Sequence, residues 1–262
     1  SGLHTHLDQI PAALGQAGQQ QAGIATAFVQ PLISALQDTF DPAEMQRTLR
    51  ADLVRQLDTA TLVDAMRWYN SDSAKQIMAA EQRLAEPGVM DRIGAALSQQ
   101  NLPGLTPARR QLLQELDTAT QASDGALDMM LDMQAAFLSG FAQLITPGEA
   151  SQFDGVRETF EASRAEYRDA VREQVLLQQA VLLEKVPDAA LQDFKTFAAS
   201  PSGQKLFTAL NHSLDHTLRT AARKIPAAVK NVSSALRMEV NVRPEKAAGT
   251  RQPEMEVTPV TR

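Results

Sequence analysis

The sequence predicts an all-α protein, built from a duplicated helical unit packed as one multi-helix bundle and followed by a mobile C-terminal tail. Apolar residues recur at helical spacing along most of the 262 residues, whereas alternation of β-branched residues is confined to Val240-Asn241-Val242. Prolines repeatedly follow capping side chains, as in Asp41-Pro42 and Ser200-Pro201, where the missing N–H costs nothing. A segment that occurs twice predicts the duplication.

The repeated segment runs from Trp68 to Ile77 and again from Phe197 to Leu206. In each copy an apolar helix ends at a serine that can cap the next helix. When Ser71 is aligned on Ser200, the paired residues are Leu62 with Leu191, Ala65 with Phe194, Trp68 with Phe197, Ser73 with Ser202, Ala74 with Gly203, and Ile77 with Leu206. The apolar pairs coincide at helical spacing, so the repeat predicts a hinge between two helices in each unit.

Capping and breaking residues divide the chain into helices. A capping residue, a proline and a glutamate form a capping box at two places, Asp41-Pro42 and Thr146-Pro147. A negative charge favours a helix start through the helix dipole at Ser71-Asp72. A capping residue followed by proline occurs again at Thr106-Pro107. The predicted helices are about 3–38 with breaks at Pro11 and Pro31, then 42–57, 60–70, 72–86, 89–100, 107–121, 124–145, 147–185, 188–199, 201–224 and 226–238.

The break at 101–105 separates two predicted units, 1–100 and 106–238, and a tail occupies 239–262. Because this connection is short, we expect the units to pack together as one body. From Arg243 onward there are three prolines and no aromatic residue, so the tail cannot bury enough apolar area to offset its ordering entropy. An alternative makes Met255-Glu256-Val257 a docking strand for a partner.

The second copy also carries a resemblance to a known family. Phe197, Ser200, Pro201, Gly203 and Lys205 form the pattern F-x-x-S-P-x-G-x-K. This pattern resembles the signature of a proteobacterial secreted or periplasmic family catalogued as domain of unknown function twenty fifty-nine. The resemblance covers about 171–225 well and about 48–93 poorly, since the first copy has Asp72, Ala74 and Gln76 at the proline, glycine and lysine positions. It implies an all-helical fold, export and no known activity.

Composition narrows the classes of function. A net charge of −6 and a pI near 5.3 argue against a general nucleic-acid binder, because neutralising phosphates needs a basic face. The absence of cysteine excludes disulfides and thiolate sites. No apolar run reaches the length of a membrane span. The chain starts at Ser1, as expected after removal of a signal peptide. Mainly because the resemblance implies export, we expect a periplasmic or secreted protein.

Charges are segregated along the second unit. Every charge between 111 and 156 is negative, and every charge between 217 and 238 is positive. Asp124, Asp128 and Asp132 lie at i, i+4 and i+8 and so share a helix face. We interpret this face as solvated. One alternative is internal pairing with Arg219 and Arg223, and another is binding of a cationic partner or a calcium ion. If the two helices dock, Asp128 and Arg223 should couple in a double-mutant cycle.

Metal and cofactor binding are not predicted. His212 and His216 share a helix face beside Asp215, which makes a minimal transition-metal pair without a third ligand or an H-E-x-x-H pattern. The favoured interpretation is structural. Met129, Met130 and Met133 would suit copper(I), but methionine at this spacing is typical of core packing.

Enzyme signatures are missing as well. Ser202-Gly203-Gln204-Lys205 matches S-x-x-K, but S-D-N and K-T-G do not accompany it, and a capping turn explains the same residues. The chain contains no G-x-S-x-G, no P-loop and no dinucleotide-binding pattern. We therefore expect a protein that is not an enzyme.

The aromatic residues define a candidate binding groove. Trp68 is interpreted as a core anchor; alternatively Trp68, Tyr69, Phe194 and Phe197 surround a groove for an apolar ligand or a partner's helix. The leading functional hypothesis is a scaffold or adaptor that binds another protein in the bacterial envelope. The alternatives are an apolar-ligand or lipid carrier, which needs a cavity above about 300 Å³ lined by the Trp68 and Phe197 helices, and weak metal binding through His212 and His216.

Overall fold

The computed structural model describes residues 39–145 and 153–225, together with 227, 228 and 231. Within these residues there are ten α-helices, one short 3-10 helix at Arg83–Ala85, and no strand. The helices are α1 Pro42–Gln56, α2 Thr59–Tyr69, α3 Asp72–Gln82, α4 Val89–Gln99, α5 Pro107–Thr120, α6 Ala122–Ile145, α7 Phe153–Glu161, α8 Arg164–Leu182, α9 Asp188–Ala198 and α10 Pro201–Ala222. The all-α prediction is confirmed. The predicted helix at 3–38 and the tail lie outside the described residues.

Most predicted helix starts are confirmed because their caps are local. The side chains of Asp41, Ser71, Thr106 and Ser200 each accept a hydrogen bond from a backbone N–H in the first turn of the following helix. Each such bond satisfies one of the free donors at a helix N-terminus. The helices that begin at 42, 72, 107 and 201 therefore start where the sequence predicts.

The single predicted helix at 147–185 is wrong. The chain forms α7 and α8 instead, with a turn at Ala162-Ser163. Both helices pack against α6, and their other neighbours differ. Val156 and Phe160 of α7 join a cluster that contains Phe40, whereas α8 also packs against α4. The turn lets each apolar face meet its own part of the core.

The two copies of the repeat pack reciprocally. Helix α2 of the first copy packs against α10 of the second, and α9 of the second packs against α3 of the first. Ser73 Oγ donates a 2.6 Å hydrogen bond to Asp193 Oδ2, and Ser202 Oγ donates a 2.7 Å bond to Asp64 Oδ2. In the alignment Ser73 corresponds to Ser202, and Asp64 to Asp193. Each copy therefore binds the other through the same residue pair, as an approximate twofold relation would produce.

The largest hydrophobic cluster joins both predicted units. It combines Ile77 and Ile93 from the first unit with Leu113, Val181 and Leu191 from the second. The short connection between the units also contributes, because two of its leucines pack against the same cluster, Leu102 and Leu105. Helices of both units therefore share this cluster, and it positions residues around the candidate site. Helices α1, α6, α7 and α10 contribute to two further clusters.

Candidate ligand-binding site

The signature turn of the second copy is a helix cap with an added ion pair. Ser200 Oγ accepts a 3.1 Å bond from the Gly203 N–H and donates a 2.6 Å bond to the Phe197 carbonyl oxygen. Pro201 occupies the first helical turn, and Lys205 Nζ donates a 2.9 Å bond to Asp58 Oδ2 at the start of α2. The Thr61 backbone N–H and Lys205 hold the pKa of Asp58 well below its usual value. These contacts explain the pattern structurally.

Position 203 leaves no room for a Cβ, because the backbone of Phe197 and Ala198 lies very close to it. A Cβ at this position would overlap the Phe197 carbonyl oxygen and lie 2.8 Å from the Phe197 carbonyl carbon. The turn at Ser71 in the first copy has the same cap, because Ser71 Oγ accepts a 3.2 Å bond from the Ala74 N–H. The first copy accommodates a buried alanine, Ala74, at the equivalent position.

The predicted aromatic residues form a stack. The Trp68 ring is stacked between Phe194 and Phe197, with centroid distances of 5.6 and 5.1 Å and interplanar angles of 9°. Phe207 meets both phenylalanine rings at steep angles. Stacking of this kind adds to the stabilisation from burial. All three stacked residues are half-buried, and Trp68 and Phe194 pack against the cluster that joins the two units.

A cavity of about 360 Å³ lies next to this stack, between α3, α5, α6, α8 and α9. Of the fourteen described residues that line it, ten are apolar: Ile77, Leu84, Leu116, Ala122, Ala126, Met129, Val175, Leu182, Leu183 and Phe194. Of the four residues predicted to form a groove, Phe194 lines this cavity, and Trp68 contacts it through Phe194. The sequence analysis thus named one residue that lines the cavity, Phe194. It did not anticipate that α3, α5, α6 and α8 form most of the wall.

The remaining lining residues are polar, and they differ in what they offer a ligand. They are Glu81, Thr120, Gln178 and Gln179. The Thr120 hydroxyl already donates a 2.9 Å bond to the Leu116 carbonyl oxygen. Glu81 and Met129 are exposed, so the cavity opens to solvent beside them. Within the described part of the lining, Glu81 is the one charged residue. Sequence reasoning missed Glu81, because one glutamate on an amphipathic helix resembles any surface charge.

His216 is placed as a structural residue. His216 Nδ1 lies 2.5 Å from Asp52 Oδ2, and Asp52, which is only 3% exposed, also pairs with Arg55. His212 is exposed, and Asp215 pairs with Arg219 at 2.9 Å. In the part of the chain that the structure describes, no group of three or more His, Cys, Asp or Glu side chains is arranged to hold a metal ion. His216 joins α10 to α1.

The solvated interpretation of the acidic helix face is wrong at Asp132. This residue is 1% exposed, and its carboxylate accepts bonds from Arg157 Nε at 2.5 Å and Arg219 Nε at 3.3 Å. Burial raises the pKa of Asp132 to about 6 despite the two guanidinium groups. The alternative of internal pairing with Arg219 is therefore confirmed. Sequence reasoning missed Arg157, which lies just beyond the stretch of negative charges.

The predicted pair of Asp128 and Arg223 is also wrong. Asp128 pairs with Arg164 at 2.5 Å, and Arg223 pairs with Asp154 at 2.8 Å. The acidic and basic helices do pack together, but α7 and α8 supply part of the compensating charge. The nearby methionines diverge: Met130 and Met133 pack against different core clusters, while Met129 lines the cavity.

No family model matches the chain, and comparison with curated proteins and with solved structures also finds no match. None of the described helices combines the length and hydropathy that crossing a bilayer requires. Function has to be inferred from the cavity and the exposed helix faces.

Proposed function

We propose that this protein binds an apolar molecule in the cavity between α3, α5, α6, α8 and α9. The observation that carries the proposal is a volume of about 360 Å³ with ten apolar residues among the fourteen that line it. Small-molecule sites typically begin at about 300 Å³ and combine apolar walls with a few polar groups. The volume exceeds the threshold of about 300 Å³ set above for a carrier. Most of the wall comes from α3, α5, α6 and α8, and not from the helices that carry Trp68 and Phe197.

The volume also limits the size of the ligand. At about 30 Å³ per water molecule, the cavity has the volume of roughly a dozen waters, so a ligand with about that number of non-hydrogen atoms would fill it. Transfer of an apolar molecule from water to these walls is favourable. Met129, at the opening, has an unbranched and flexible side chain that can adapt to different shapes.

The location we propose is the bacterial envelope. It is supported by the resemblance of the turn from Phe197 to Lys205 to the secreted or periplasmic family named above, and we propose membership of that family on the same residues. A carrier of a small apolar molecule would be useful between two membranes, because such molecules cross water slowly unaided.

Native mass spectrometry of protein purified from envelope extract, compared with a denatured control, tests ligand binding. We expect additional mass that is lost on denaturation. Ala126 lines the cavity, so Ala126→Phe should abolish the additional mass by filling the site. Ala95 is exposed on α4, and Ala95→Phe is the matched control that should retain it. Equal bound mass in both variants would contradict the proposal.

A second candidate function, a scaffold or adaptor, is supported by the exposed face of α2. Leu62, Met66 and Tyr69 share this face at i, i+4 and i+7, and Met66 is 64% exposed. The neighbouring face, about a quarter of a turn away, buries Thr61 and Ala65. An apolar helix face of this kind can dock against another helix, so we propose an envelope protein as the partner in this alternative.

Photocrosslinking separates the adaptor from the carrier. A photoreactive amino acid at Met66 should give a discrete adduct in cells if α2 docks a partner. Met90, on α4, is 56% exposed and provides the matched control. Adducts that are identical from both positions, or absent from both, would count against the adaptor.

A further inference from the structure

A carboxylate lies at the opening of the apolar cavity. Glu81 is exposed and is the one charged residue among the described residues that line the cavity. No ion pair joins it to another described residue. The opening therefore carries a negative charge with which the end group of a ligand can pair.

A carboxylate at the edge of an apolar space is a favourable partner for an ammonium group. The two opposite charges attract each other and form charge-assisted hydrogen bonds, which are stronger than neutral ones. Among the described residues that line the cavity, Glu81 is the one that offers such a partner.

The charge of a ligand decides what happens to Glu81 when the cavity is filled. A neutral ligand would remove water from the carboxylate without replacing its interactions, and burial of an unpaired charge is costly. An anionic ligand would add repulsion. A cationic end group would replace the lost water with an ion pair, while the apolar body occupies the cavity.

We infer that the cavity selects an apolar molecule with a cationic end, of the alkylammonium type, whose charged group binds at Glu81. This inference rests on the proposed ligand-binding function. It goes beyond that function because it names the charge and the orientation of the ligand.

The test compares n-octylamine, n-octanol and octanoate, which have the same chain length and different head groups. Binding is measured by calorimetry and by Trp68 fluorescence at a pH of about 7.5, where the amine is protonated. Trp68 is the one tryptophan in the chain and stacks on the cavity residue Phe194. We expect the amine to bind about 10- to 100-fold more tightly than the alcohol, the range that hydrogen bonds to charged groups support, and octanoate to bind most weakly.

Variants assign the preference to Glu81. Glu81→Gln should reduce the preference for the amine to less than about twofold while leaving octanol binding unchanged. Glu158 is exposed on α7 and does not line the cavity, so Glu158→Gln is the matched control and should keep the full preference. A full preference for the amine in Glu81→Gln would overturn the inference.

The outcomes separate this inference from the proposed function. If neither octanol nor octylamine binds, the ligand-binding function fails. If both bind equally to the wild-type protein and Ala126→Phe abolishes both, the cavity is a ligand site but the selection for a cation is refuted. If Ala126→Phe leaves octylamine binding intact, the amine binds at the surface and the inference is also refuted.

Discussion

Replacement of Gly203 by alanine tests whether the signature turn depends on backbone contact. The new Cβ would overlap the Phe197 carbonyl oxygen and lie 2.9 Å from the Ala198 Cα, and distances below 3.0 Å essentially never occur for a real Cβ. Because the obstructing atoms belong to the backbone, rotation of a side chain cannot relieve the overlap. The end of α9 and the start of α10 would have to move apart.

The expected cost can be worked out from three contributions. Overpacking costs about 1–3 kcal/mol, and displacing the Gly203 N–H from Ser200 Oγ weakens a cap worth about 1 kcal/mol. Alanine returns about 0.5–1 kcal/mol through its higher helix propensity. We therefore expect Gly203→Ala to lower the free energy of unfolding by about 1–3.5 kcal/mol, which corresponds to a fall in Tm of about 2–14 °C.

Urea denaturation followed by far-UV circular dichroism measures this change, and an unchanged m-value shows that the transition remains comparable. Gly94 is the matched control, since a Cβ there meets nothing within 4 Å. Gly94→Ala should stabilise the protein by about 0.5–1 kcal/mol. The competing outcome is that the turn relaxes to the form that accommodates Ala74 in the first copy. A loss below about 0.5 kcal/mol in Gly203→Ala would favour that outcome and refute the reasoning from backbone contact.

Three further predictions concern the charged and aromatic core. Burial raises the pKa of Asp132 from 3.8 to about 6. The stabilising contribution of its protonated form is therefore present below pH 3.8 and is lost as the pH rises through about 6. Relative to Asp132→Asn, the wild-type protein should lose about 1 kcal/mol of stability between pH 5 and 7. A difference that does not vary with pH would contradict this assignment. In double-mutant cycles, Asp132 and Arg157 should couple by more than about 1 kcal/mol, whereas the effects of Asp128 and Arg223 should add within about 0.5 kcal/mol. A larger coupling energy for Asp128 and Arg223 than for Asp132 and Arg157 would show that the observed pairing is not the one that stabilises the protein. Trp68→Ala should cost about 2–3 kcal/mol in urea denaturation because it removes two ring stacks, and Trp68→Phe should cost less than about 1.5 kcal/mol. Equal losses in the two variants would mean that the stacking contributes little.

The sequence alone was sufficient for the features that depend on neighbouring residues. Asp41, Ser71, Thr106 and Ser200 mark helix starts because a cap bonds to a backbone group two or three residues away, and the chain brings these atoms together whatever the rest of the fold does. The alignment of Ser73 with Ser202 was visible for the same reason. It did not show that each serine binds the aspartate of the other copy.

The candidate site was only partly predictable. Phe194 was assigned to a binding groove and does line the cavity, but the partners that complete the wall come from helices far apart in the chain. Ile77 and Leu182 meet there only after α3 and α8 have packed. Glu81 gains its interest from this packing, because its carboxylate is unremarkable until apolar walls surround the opening beside it.

What the sequence by itself determined is the all-α class, most helix boundaries and the repeated capped turn, since local hydrogen bonds and helical periodicity specify them. Tertiary packing decided that the chain turns at Ser163, that Arg157 reaches Asp132, and that a cavity remains between five helices. The physical reason is that each of these depends on how the apolar faces of distant helices meet, and a helix can satisfy its own backbone without specifying which neighbour it will bury.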